Sequence, residues 1–372
     1  MKLLFLNWKD IKHAQWGGAE VFMHELCKRF VKDGHEVTLL TALYPGSSKF
    51  DQIDGINVIR VGTNRYFHNF AATLYFIRNL RGKFDYVIDI VNTSPYFASF
   101  FDKKAKHILF FHQLAREVWF YETKPPLSWL GYYLLEPFAN RLLSLSKTKV
   151  VTVSESSKQD IMKFGFKENR ISIISEGTNT EGLKKLEDAP AKYKDFTLLY
   201  FGSIRPMKRP FEVLKAFKFF YEKVPTAKLI IAGRGDKNYR DEMKAFVKNN
   251  NLVAAVAFEE NPSDADKIDL MRKSHVLCVT SVKEGWGIVV IEAGINGTPA
   301  VVYNVDGLRD AVKDGVTGLV VANGDILALA KAFEKLITDP TLYKSIRKGA
   351  FDFNNGITFD RSYNELKTIL SH

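Results

Sequence analysis

The sequence predicts an α/β protein made of two doubly wound domains. Short apolar segments, typical of buried parallel strands, alternate along the chain with segments of helical periodicity. This alternation stops between Glu176 and Phe196, in a polar stretch that contains Gly and Pro, and then starts again. At 372 residues the chain is also too long for a single core.

The first domain is predicted to cover residues 1–180. Apolar segments predict strands at 2–7, 35–41, 56–61, 85–91, 107–112, 149–154 and 171–175. Apolar residues at helical spacing predict helices at 18–34, 70–80, 127–145 and from 155 onward. Gly34 is expected to close the first of these helices. Strands and helices in this order form a parallel sheet that is covered on both faces.

The second domain is predicted to cover residues 181–356. Strands are expected at 197–203, 227–233, 256–260, 275–280, 299–303 and 317–321. Helices are expected at 209–221, 239–249, 264–272 and 288–297, and a last helical pattern follows at 358–370. Two such domains in series should leave a cleft, and ligands of these sheets bind beyond the carboxyl ends of the strands.

The chain carries a net charge of +11, and the basic excess is larger in its first half. A nucleic acid, an anionic membrane surface or a phosphate-bearing ligand would each suit this charge. Because there is no nucleic-acid-binding module and no long basic block, a nucleic-acid partner is not expected. An anionic membrane surface stays open, since the aromatic residues between Phe97 and Phe138 suit contact with a lipid-linked acceptor.

Several classes of protein are excluded by what the sequence lacks. No segment approaches the roughly 20 consecutive apolar residues of a membrane helix, and the first residues do not follow the pattern of a signal peptide. We expect a cytoplasmic protein, with a peripheral position on the inner face of the membrane as an option. Cys27 and Cys278 lie in apolar patterns that indicate buried packing residues. No metal site is predicted, because His and Cys do not occur at metal-binding spacing.

One segment, SVKEGWGIVVIEAGINGTPA at residues 281–300, combines two glutamates with a helix start. Glu284 follows a predicted strand, and Glu292 lies in the helix after the Gly-Trp-Gly turn. Amides at a helix N-terminus can bind an anion, here those of Gly287, Ile288 and Val289. Carboxylates accept hydrogen bonds from vicinal hydroxyl groups, so the segment suits a pyrophosphate that carries a sugar and a ribose. The alternative is that Glu284 caps the helix and Glu292 is simply exposed.

A second anion site is predicted at the exit of the first strand, in the segment LNWKDIKHAQWGGAE. Gly17 and Gly18 precede a helix there, and glycines let a phosphate approach the backbone closely. The spacing is not GxGxxG and the loop is too long for a dinucleotide turn, which argues against an NAD enzyme. A plain turn before a capped helix is the alternative.

Cations follow the first strand of the second domain, in the segment FGSIRPMKRP. Arg205 and Lys208 are placed at the carboxyl end of that strand, where they could neutralise a leaving diphosphate. A solvated helix start is the alternative, but the helix dipole disfavours cations at an N-terminus. We therefore interpret Arg205 and Lys208 as candidate catalytic residues.

His112 ends the predicted strand at 107–112. A neutral imidazole there could hydrogen-bond a sugar hydroxyl or the charge that develops at an anomeric carbon. A histidine satisfied within the core is the alternative. Arg116 is a candidate for an acceptor site together with Trp119, Phe120 and Tyr121, although an aromatic run also suits a core helix.

Taken together, these segments resemble the retaining glycosyltransferases of the GT-B fold, family 4, also called group 1 glycosyltransferases. The resemblance covers nearly the whole chain, and its most specific motif is EGWGIVVIE continuing into EAGINGTPAV. Weaker matches are GGAE at 17–20, His112, VSES at 153–156, GSIRPMKRP at 202–210 and AGRG at 232–235. Ser203 stands where the family usually has Arg, and Glu176-Gly177 stands where it usually has Asn-Gly.

The resemblance implies two Rossmann-like domains facing across a cleft. It implies an acceptor-side domain at 1–180, joined by the C-terminal helix at 357–372, and a nucleotide-sugar-binding domain at 181–356. Glu284 would contact the donor sugar and Glu292 the ribose. The diphosphate would be held by Lys208 and by the amides of Gly17, Gly18, Gly287, Ile288 and Val289. Arg205 would replace the Arg missing at Ser203.

The function expected from this resemblance is retaining transfer of a sugar from a nucleotide-diphosphate sugar to an alcohol acceptor. The acceptor class is a lipid-linked saccharide or glycan, and the enzymes that this chain resembles need no divalent metal and no cofactor. A related GT-B sugar phosphorylase or epimerase is one alternative. A non-catalytic basic binding protein on the same fold is another. Slow hydrolysis of the donor would separate the enzymes from the binding protein.

Overall fold

The computed structural model describes residues 1–14, 16–63 and 68–371, and the chain forms two compact units. The first unit comprises Met1–Gly177 together with the segment from Thr358 onward. The second unit comprises Thr178–Ile357. Each unit is built on a doubly wound sheet, which confirms the predicted α/β fold class.

The strands of the first unit are β1 (Lys2–Leu6), β2 (Glu36–Thr41), β3 (Phe50–Ile53), β4 (Ile56–Arg60), β5 (Tyr86–Ile90), β6 (Lys106–Phe111), β7 (Lys149–Thr152) and β8 (Ile171–Ile173). They form one sheet in the order β3-β4-β2-β1-β5-β6-β7-β8. All neighbours are parallel except β3 and β4. The edge strand β3 was not predicted, because its sequence FDQI is mostly polar and half-exposed.

The helices of the first unit begin with α1 (Gly18–Lys32), α2 (His68–Tyr75), α3 (Ala98–Phe101), α4 (Trp119–Glu122), α5 (Leu127–Leu130), α6 (Glu136–Ser144) and α7 (Glu155–Met162). A π-helical turn at Phe76–Leu80 continues α2, and another at Gly131–Leu135 joins α5 to α6. Residues 127–144 therefore form one helical run, close to the helix predicted at 127–145.

The strands of the second unit are β9 (Thr197–Phe201), β10 (Lys228–Gly233), β11 (Val256–Glu260), β12 (Val276–Val279), β13 (Ala300–Tyr303) and β14 (Gly318–Val321). Their order is β11-β10-β9-β12-β13-β14, and every neighbouring pair is parallel. The order reverses between β9 and β12, just as it does between β1 and β5 in the first unit. Such reversal points are where ligands bind in doubly wound sheets.

The helices of the second unit are α8 (Pro210–Lys223), α9 (Lys237–Asn249), α10 (Asp264–Lys273), α11 (Ile288–Ile295), α12 (Leu308–Ala311), α13 (Ile326–Thr338) and α14 (Pro340–Asn354). The last three add to the helices that we expected from the sequence. The core of this unit lies between sheet and helices, with Leu198, Leu277 and Val301 fully buried on the central strands.

The chain ends on α15 (Phe359–Ser371), which packs against α1 within the first unit. The Tyr363 ring lies 4.7 Å from the Phe30 ring, and the Phe359 ring lies 5.8 Å from the Phe22 ring. Arg29 and Asp360 form an ion pair at 2.6 Å. The last helix thus covers apolar residues of the first one.

The stretch 176–196, predicted as a linker, is mostly irregular and contains one short turn of 3-10 helix at Leu186–Asp188. Lys192 within it donates hydrogen bonds to Ser274 O at 2.7 Å, Gly297 O at 3.0 Å and Thr298 Oγ1 at 2.6 Å. Burial holds the pKa of Lys192 well below its usual value. These contacts fasten this part of the stretch to the second unit.

Among the residues that the structure describes, no helix is long and apolar enough to cross a membrane. The same residues contain no cluster of three or more His, Cys, Asp and Glu side chains that could hold a metal ion. Cys27 and Cys278 are buried free thiols, as their apolar neighbours predicted.

Candidate functional site

In the second unit, Glu284 and Lys208 meet where the strand order reverses, beyond the carboxyl ends of β12 and β9. Glu284 Oε1 accepts hydrogen bonds from Lys208 Nζ and from Ser281 Oγ, the latter at 2.6 Å. Both side chains are partly exposed, so a ligand can reach them. The fold brings these two candidate residues together although they are 76 positions apart.

The start of α11 follows Glu284 directly and presents backbone amides. Gly287 precedes the helix with φ of +100°, a left-handed conformation that favours glycine. Val290 N–H donates to Gly287 O at 2.8 Å, the first hydrogen bond at this end of α11. The amides of Gly287, Ile288 and Val289 precede that bond, so they have no acceptor within the helix. This is the arrangement of an anion-binding helix start.

The loop after β13 packs on the backbone at Glu284. Glu284 N–H donates to Asp306 O at 3.2 Å, and a Cβ on Gly307 would lie only 2.4 Å from Glu284 O. The Asp306 carboxylate pairs at 2.5 Å with Lys283, whose side chain is only 5% exposed. This buried pair fixes the backbone next to Glu284. It was missed in the sequence, because a lysine beside Glu284 gives no local sign of burial.

Glu292 lies on α11 in a second polar cluster. Its Oε1 accepts hydrogen bonds from Lys267 Nζ at 2.8 Å, from Thr180 Oγ1 at 2.5 Å and from Thr178 Oγ1 at 3.3 Å. These partners differ from those of Glu284. The alternative in which Glu292 is merely exposed does not hold, because its side chain is 12% exposed. Lys267, Thr178 and Thr180 were not identified from the sequence.

Arg205 lies between β9 and the short 3-10 turn at Pro206–Lys208, close to the Glu284 site. The charges of Arg205 and Glu284 both affect the pKa of the same buried phenol, that of Tyr200. Burial raises the pKa of Tyr200 well above its usual value, and the charge of Glu284 raises it further, whereas the charge of Arg205 lowers it. Ser203, where an Arg was expected, is exposed, and its carbonyl accepts a hydrogen bond from Tyr200 at 2.8 Å.

In the first unit, the loop at Gly17 and Gly18 leads into α1 as predicted, but the Gly17 amide already donates to a side chain of the protein, that of Glu20. Gly17 N–H donates to Glu20 Oε2 at 2.7 Å, and Lys9 Nζ lies 3.5 Å from Glu20 Oε1. The φ of Gly17 is −144°, which any residue adopts. A phosphate would therefore have to displace the buried Glu20 carboxylate from the Gly17 amide.

His112 follows β6 and forms a buried pair with Glu176. Its Nδ1 is hydrogen-bonded to Glu176 Oε1, and since a carboxylate only accepts, we assign the proton to Nδ1. Among the described residues, its buried Nε2 has no hydrogen-bond partner. The rings of Phe110 and Phe22 lie 4.9 Å and 5.9 Å away. Glu176 was not singled out as a partner, although its place in the altered Asn-Gly turn was the available signal.

The Arg116 side chain contacts other residues of the first unit. Its guanidinium lies 4.1 Å from the centre of the Tyr132 ring, donates to Tyr132 O at 3.0 Å and approaches Glu136 at 3.7 Å. Burial raises the pKa of Glu136, although hydrogen bonds from backbone and Trp119 act in the opposite direction. Arg116 therefore holds local structure, and its contact with a substrate stays a prediction.

Family profiles match nearly all of this chain in two adjoining parts. The profile described as Glycosyltransferase Family 4 matches residues 16–181, and the profile described as Glycosyl transferases group 1 matches residues 184–353. The chain belongs to the group 1 glycosyltransferases. The second match contains both polar clusters of the second unit except Thr178 and Thr180.

Curated relatives of this glycosyltransferase carry related names. The capsular polysaccharide biosynthesis glycosyltransferase CapM of Staphylococcus aureus is 30% identical over 239 residues, which is 60% of each chain. A D-inositol 3-phosphate glycosyltransferase of Rhodococcus jostii is 28% identical over 54% of this chain and 47% of its own. The chain thus spans about half of these two relatives. An uncharacterised glycosyltransferase of Methanocaldococcus jannaschii is 24% identical over 91% of this chain and 90% of its own.

Solved structures place the glycosyltransferase in the GT-B fold. Anabaena HepE in complex with UDP-glucose aligns with a TM-score of 0.75 at 17% identity, over 100% of this chain and 99% of that one. WaaG, a glycosyltransferase involved in lipopolysaccharide biosynthesis, aligns with a TM-score of 0.76 at 18% identity, over 99% of both chains. At these identities the likeness concerns the fold alone.

Proposed function

We propose that this protein transfers a sugar from a nucleotide-diphosphate sugar to an alcohol acceptor, with retention of anomeric configuration and without a divalent metal. The observation that carries the proposal is the Glu284–Lys208 pair next to the start of α11. A cation and free helix amides suit a diphosphate, and a carboxylate suits sugar hydroxyls. HepE, which binds UDP-glucose, supports a nucleotide sugar as the donor.

In this proposal, Lys208 binds the diphosphate of the donor and Glu284 binds its sugar. The amides of Gly287, Ile288 and Val289 and the Lys208 ammonium hold the phosphates. Because the phosphates compete for Lys208, binding of the donor loosens the Lys208–Glu284 pair and leaves Glu284 to accept hydrogen bonds from the sugar. Glu292 accepts from the ribose, with Lys267 fixing its carboxylate. Arg205 adds positive charge near the leaving diphosphate.

The reaction breaks the bond between the anomeric carbon and the diphosphate oxygen. The acceptor oxygen forms a new bond to that carbon on the same face, and the acceptor proton passes to the departing diphosphate. The products are the glycosylated acceptor and a protonated nucleoside diphosphate, so the step needs no external base. Gly17, Gly18, His112 and Arg116 are the substrate contacts that we propose for the first unit.

The acceptor that we propose is a saccharide or glycan, either free or lipid-linked. The names of CapM and WaaG, which refer to capsular polysaccharide and lipopolysaccharide, support this class. We also propose that the protein works in the cytoplasm, peripherally on the anionic inner face of the membrane. The net charge of +11 supports that location.

A thermal-shift experiment with the purified protein tests the donor site. UDP, GDP and ADP, and their sugar conjugates, are added in the presence of EDTA. A nucleotide at about 100 times its Kd stabilises the folded state by about 2.7 kcal/mol, so a rise in Tm with one base is the expected result. Lys208→Met should abolish that rise, whereas Lys248→Met, on an exposed part of α9, should leave it unchanged.

Two outcomes would contradict the proposal. If no nucleotide raised the Tm, the donor site would be contradicted. A rise in Tm that requires Mg²⁺ would contradict metal independence. Transfer assays with the responding sugar nucleotide then separate the alternatives, because a phosphorylase or an epimerase acts without an alcohol acceptor. Analysis of the product linkage by NMR distinguishes retention from inversion.

A further inference from the structure

The helical run at residues 127–144 turns its small and polar residues inward. Ser128, Gly131, Glu136 and Asn140 are buried on this side. A Cβ on Gly131 would lie 2.3 Å from the Trp119 ring, so only glycine lets the run approach that ring so closely. The inner side of these helices therefore contributes few large apolar side chains to the core.

Large apolar side chains cover the opposite side. Trp129, Tyr133, Leu134 and Phe138 are 56%, 70%, 58% and 65% exposed. We call the exposed set the outer apolar face; it consists of Trp129, Leu130, Tyr133, Leu134, Leu135, Phe138 and Leu145. A helix at a protein–water surface has the reverse pattern, with its polar residues outside. A continuous exposed patch of this kind marks an interaction site.

Buried hydrogen bonds fix the rotation of this run about its own axis. The Glu136 carboxylate accepts from Ala115 N–H at 2.7 Å, Arg116 N–H at 2.9 Å and Trp119 Nε1–H at 3.0 Å. Turning the apolar side chains inward would break all three bonds and would bury large groups where Gly131 touches Trp119. The outer apolar face is thus held in the exposed position by the fold itself.

Charge selects among the surfaces that could cover this face. Lys124, Arg141 and Lys147 are exposed at its ends. Between residues 123 and 149 the only acidic residue is Glu136, which is buried. A second copy of the chain on the same face would bring two sets of basic residues together, which is repulsive. An anionic surface neutralises them instead.

We propose that the outer apolar face is the surface through which the protein docks on an anionic lipid bilayer. Trp and Tyr suit the headgroup region, Leu and Phe suit the acyl chains below it, and the basic rim suits anionic headgroups. The inference rests on the membrane location within the proposed function, and it identifies the surface of the protein that contacts the membrane. Tyr132 links this face to the candidate acceptor contact Arg116, because its ring lies 4.8 Å from the Tyr133 ring and 4.1 Å from the Arg116 guanidinium.

Cosedimentation with lipid vesicles tests this docking surface. Vesicles of phosphatidylcholine alone are compared with vesicles of phosphatidylcholine and phosphatidylglycerol in equal parts. The variant Leu134→Ser/Phe138→Ser removes two exposed groups of the face. Its matched control is Leu327→Ser/Val253→Ser in the second unit, where the two side chains are 55% and 67% exposed. Lys124→Gln/Arg141→Gln/Lys147→Gln removes the basic rim.

The wild type should bind the anionic vesicles more tightly than the neutral ones. Leu134→Ser/Phe138→Ser should bind them about tenfold or more weakly, and the control should bind like the wild type. The rim variant should lose the preference for anionic vesicles and the sensitivity of binding to salt. All variants replace exposed side chains, and their Tm values should match that of the wild type.

Three results would overturn the inference. They are wild-type protein that binds neither kind of vesicle, equal binding by Leu134→Ser/Phe138→Ser and the wild type, or a wild-type dimer that this variant converts to a monomer. The nucleotide-induced rise in Tm is measured on the same samples. A protein that binds vesicles but no nucleotide contradicts the proposed transferase, whereas one that binds nucleotide but no vesicles contradicts only the docking surface.

Discussion

His112 donates a hydrogen bond from Nδ1 to the carboxylate of Glu176, 64 positions further along the chain. The pair is buried, and within the described residues the other ring nitrogen, Nε2, has no partner. An acceptor-only carboxylate at Nδ1 keeps the proton there and leaves a lone pair on Nε2. In the proposed function, where His112 contacts the substrate, Glu176 is the positioning residue that orients its ring.

Glu176→Gln should therefore lower turnover with little effect on donor KM. The amide can donate to Nδ1, which allows the other tautomer, and loss of such an orienting partner costs about 10- to 100-fold. NMR of ¹⁵N-labelled histidine should show His112 losing its single tautomer. Glu181→Gln, an exposed neighbour, is the control. An unchanged tautomer together with unchanged turnover would contradict a positioning role.

The two glutamates of the second unit should differ in their kinetic effects. Glu284→Ala should lower turnover about a hundredfold while donor affinity changes only a few-fold, because its contact strengthens in the transition state. Glu292→Ala should weaken donor binding about tenfold, since it loses a charged hydrogen-bond acceptor. Calorimetric titration and steady-state rates separate the two. Wild-type values in both variants would contradict the site, and Glu222→Ala, which is exposed, is the control.

Gly177 should tolerate no side chain. Its N–H donates to Ser362 Oγ at 3.1 Å, and a Cβ there would lie 2.1 Å from the Thr358 carbonyl carbon. Gly177→Ala should lower the free energy of unfolding by about 3 kcal/mol. Gly315→Ala, where φ is +70° and the space is open, should cost about 1 kcal/mol from backbone strain alone. Equal losses in denaturant titrations would contradict the close contact.

His275 should make the second unit less stable in acid. Its Nδ1 accepts from Thr197 N–H at 3.0 Å, and burial, then Lys192 and Arg347, lower its pKa from 6.5 to about 4. Between these values the unfolded chain binds a proton that the folded chain does not, so stability falls as pH falls, by at most about 1.4 kcal/mol per pH unit.

The test of this pH effect compares the wild type with His275→Gln, whose amide oxygen can still accept from Thr197 N–H. Melting temperatures are measured at neutral pH and at about pH 5. The Tm of the wild type should fall further on acidification than the Tm of His275→Gln. Parallel losses in both proteins would show that another group carries the titration.

Much of the fold could be predicted because its strands are buried on both faces. Continuous apolar runs such as AVVY at β13 are typical of strands that are buried on both faces of a parallel sheet, and their alternation with helical segments predicts a doubly wound fold. The edge strand β3 escaped prediction because edge strands are polar. The segment around Lys192 was predicted to be a linker. Its local sequence does not show that Lys192 donates hydrogen bonds to three acceptors from distant parts of the chain.

The candidate site could be predicted where its parts are close in sequence or where the family resemblance supplied them, as it did for Lys208. Glu284, Gly287 and the start of α11 form one continuous segment, so their pattern was visible. The partners of these residues come from elsewhere in the chain: Asp306 for Lys283, Lys267 for Glu292, and Glu176 for His112. Such pairings depend on the register of distant strands, and no local spacing encodes them.

The packing of α15 on α1 has a consequence for biosynthesis. Residues 359–371 leave the ribosome only after the whole second unit has been made. Until then the nascent first unit lacks the helix that packs on Phe22 and Phe30, and apolar groups left uncovered in this way favour aggregation during synthesis. A frameshift or nonsense mutation that removes residues 359–371 would therefore damage the domain that is translated first.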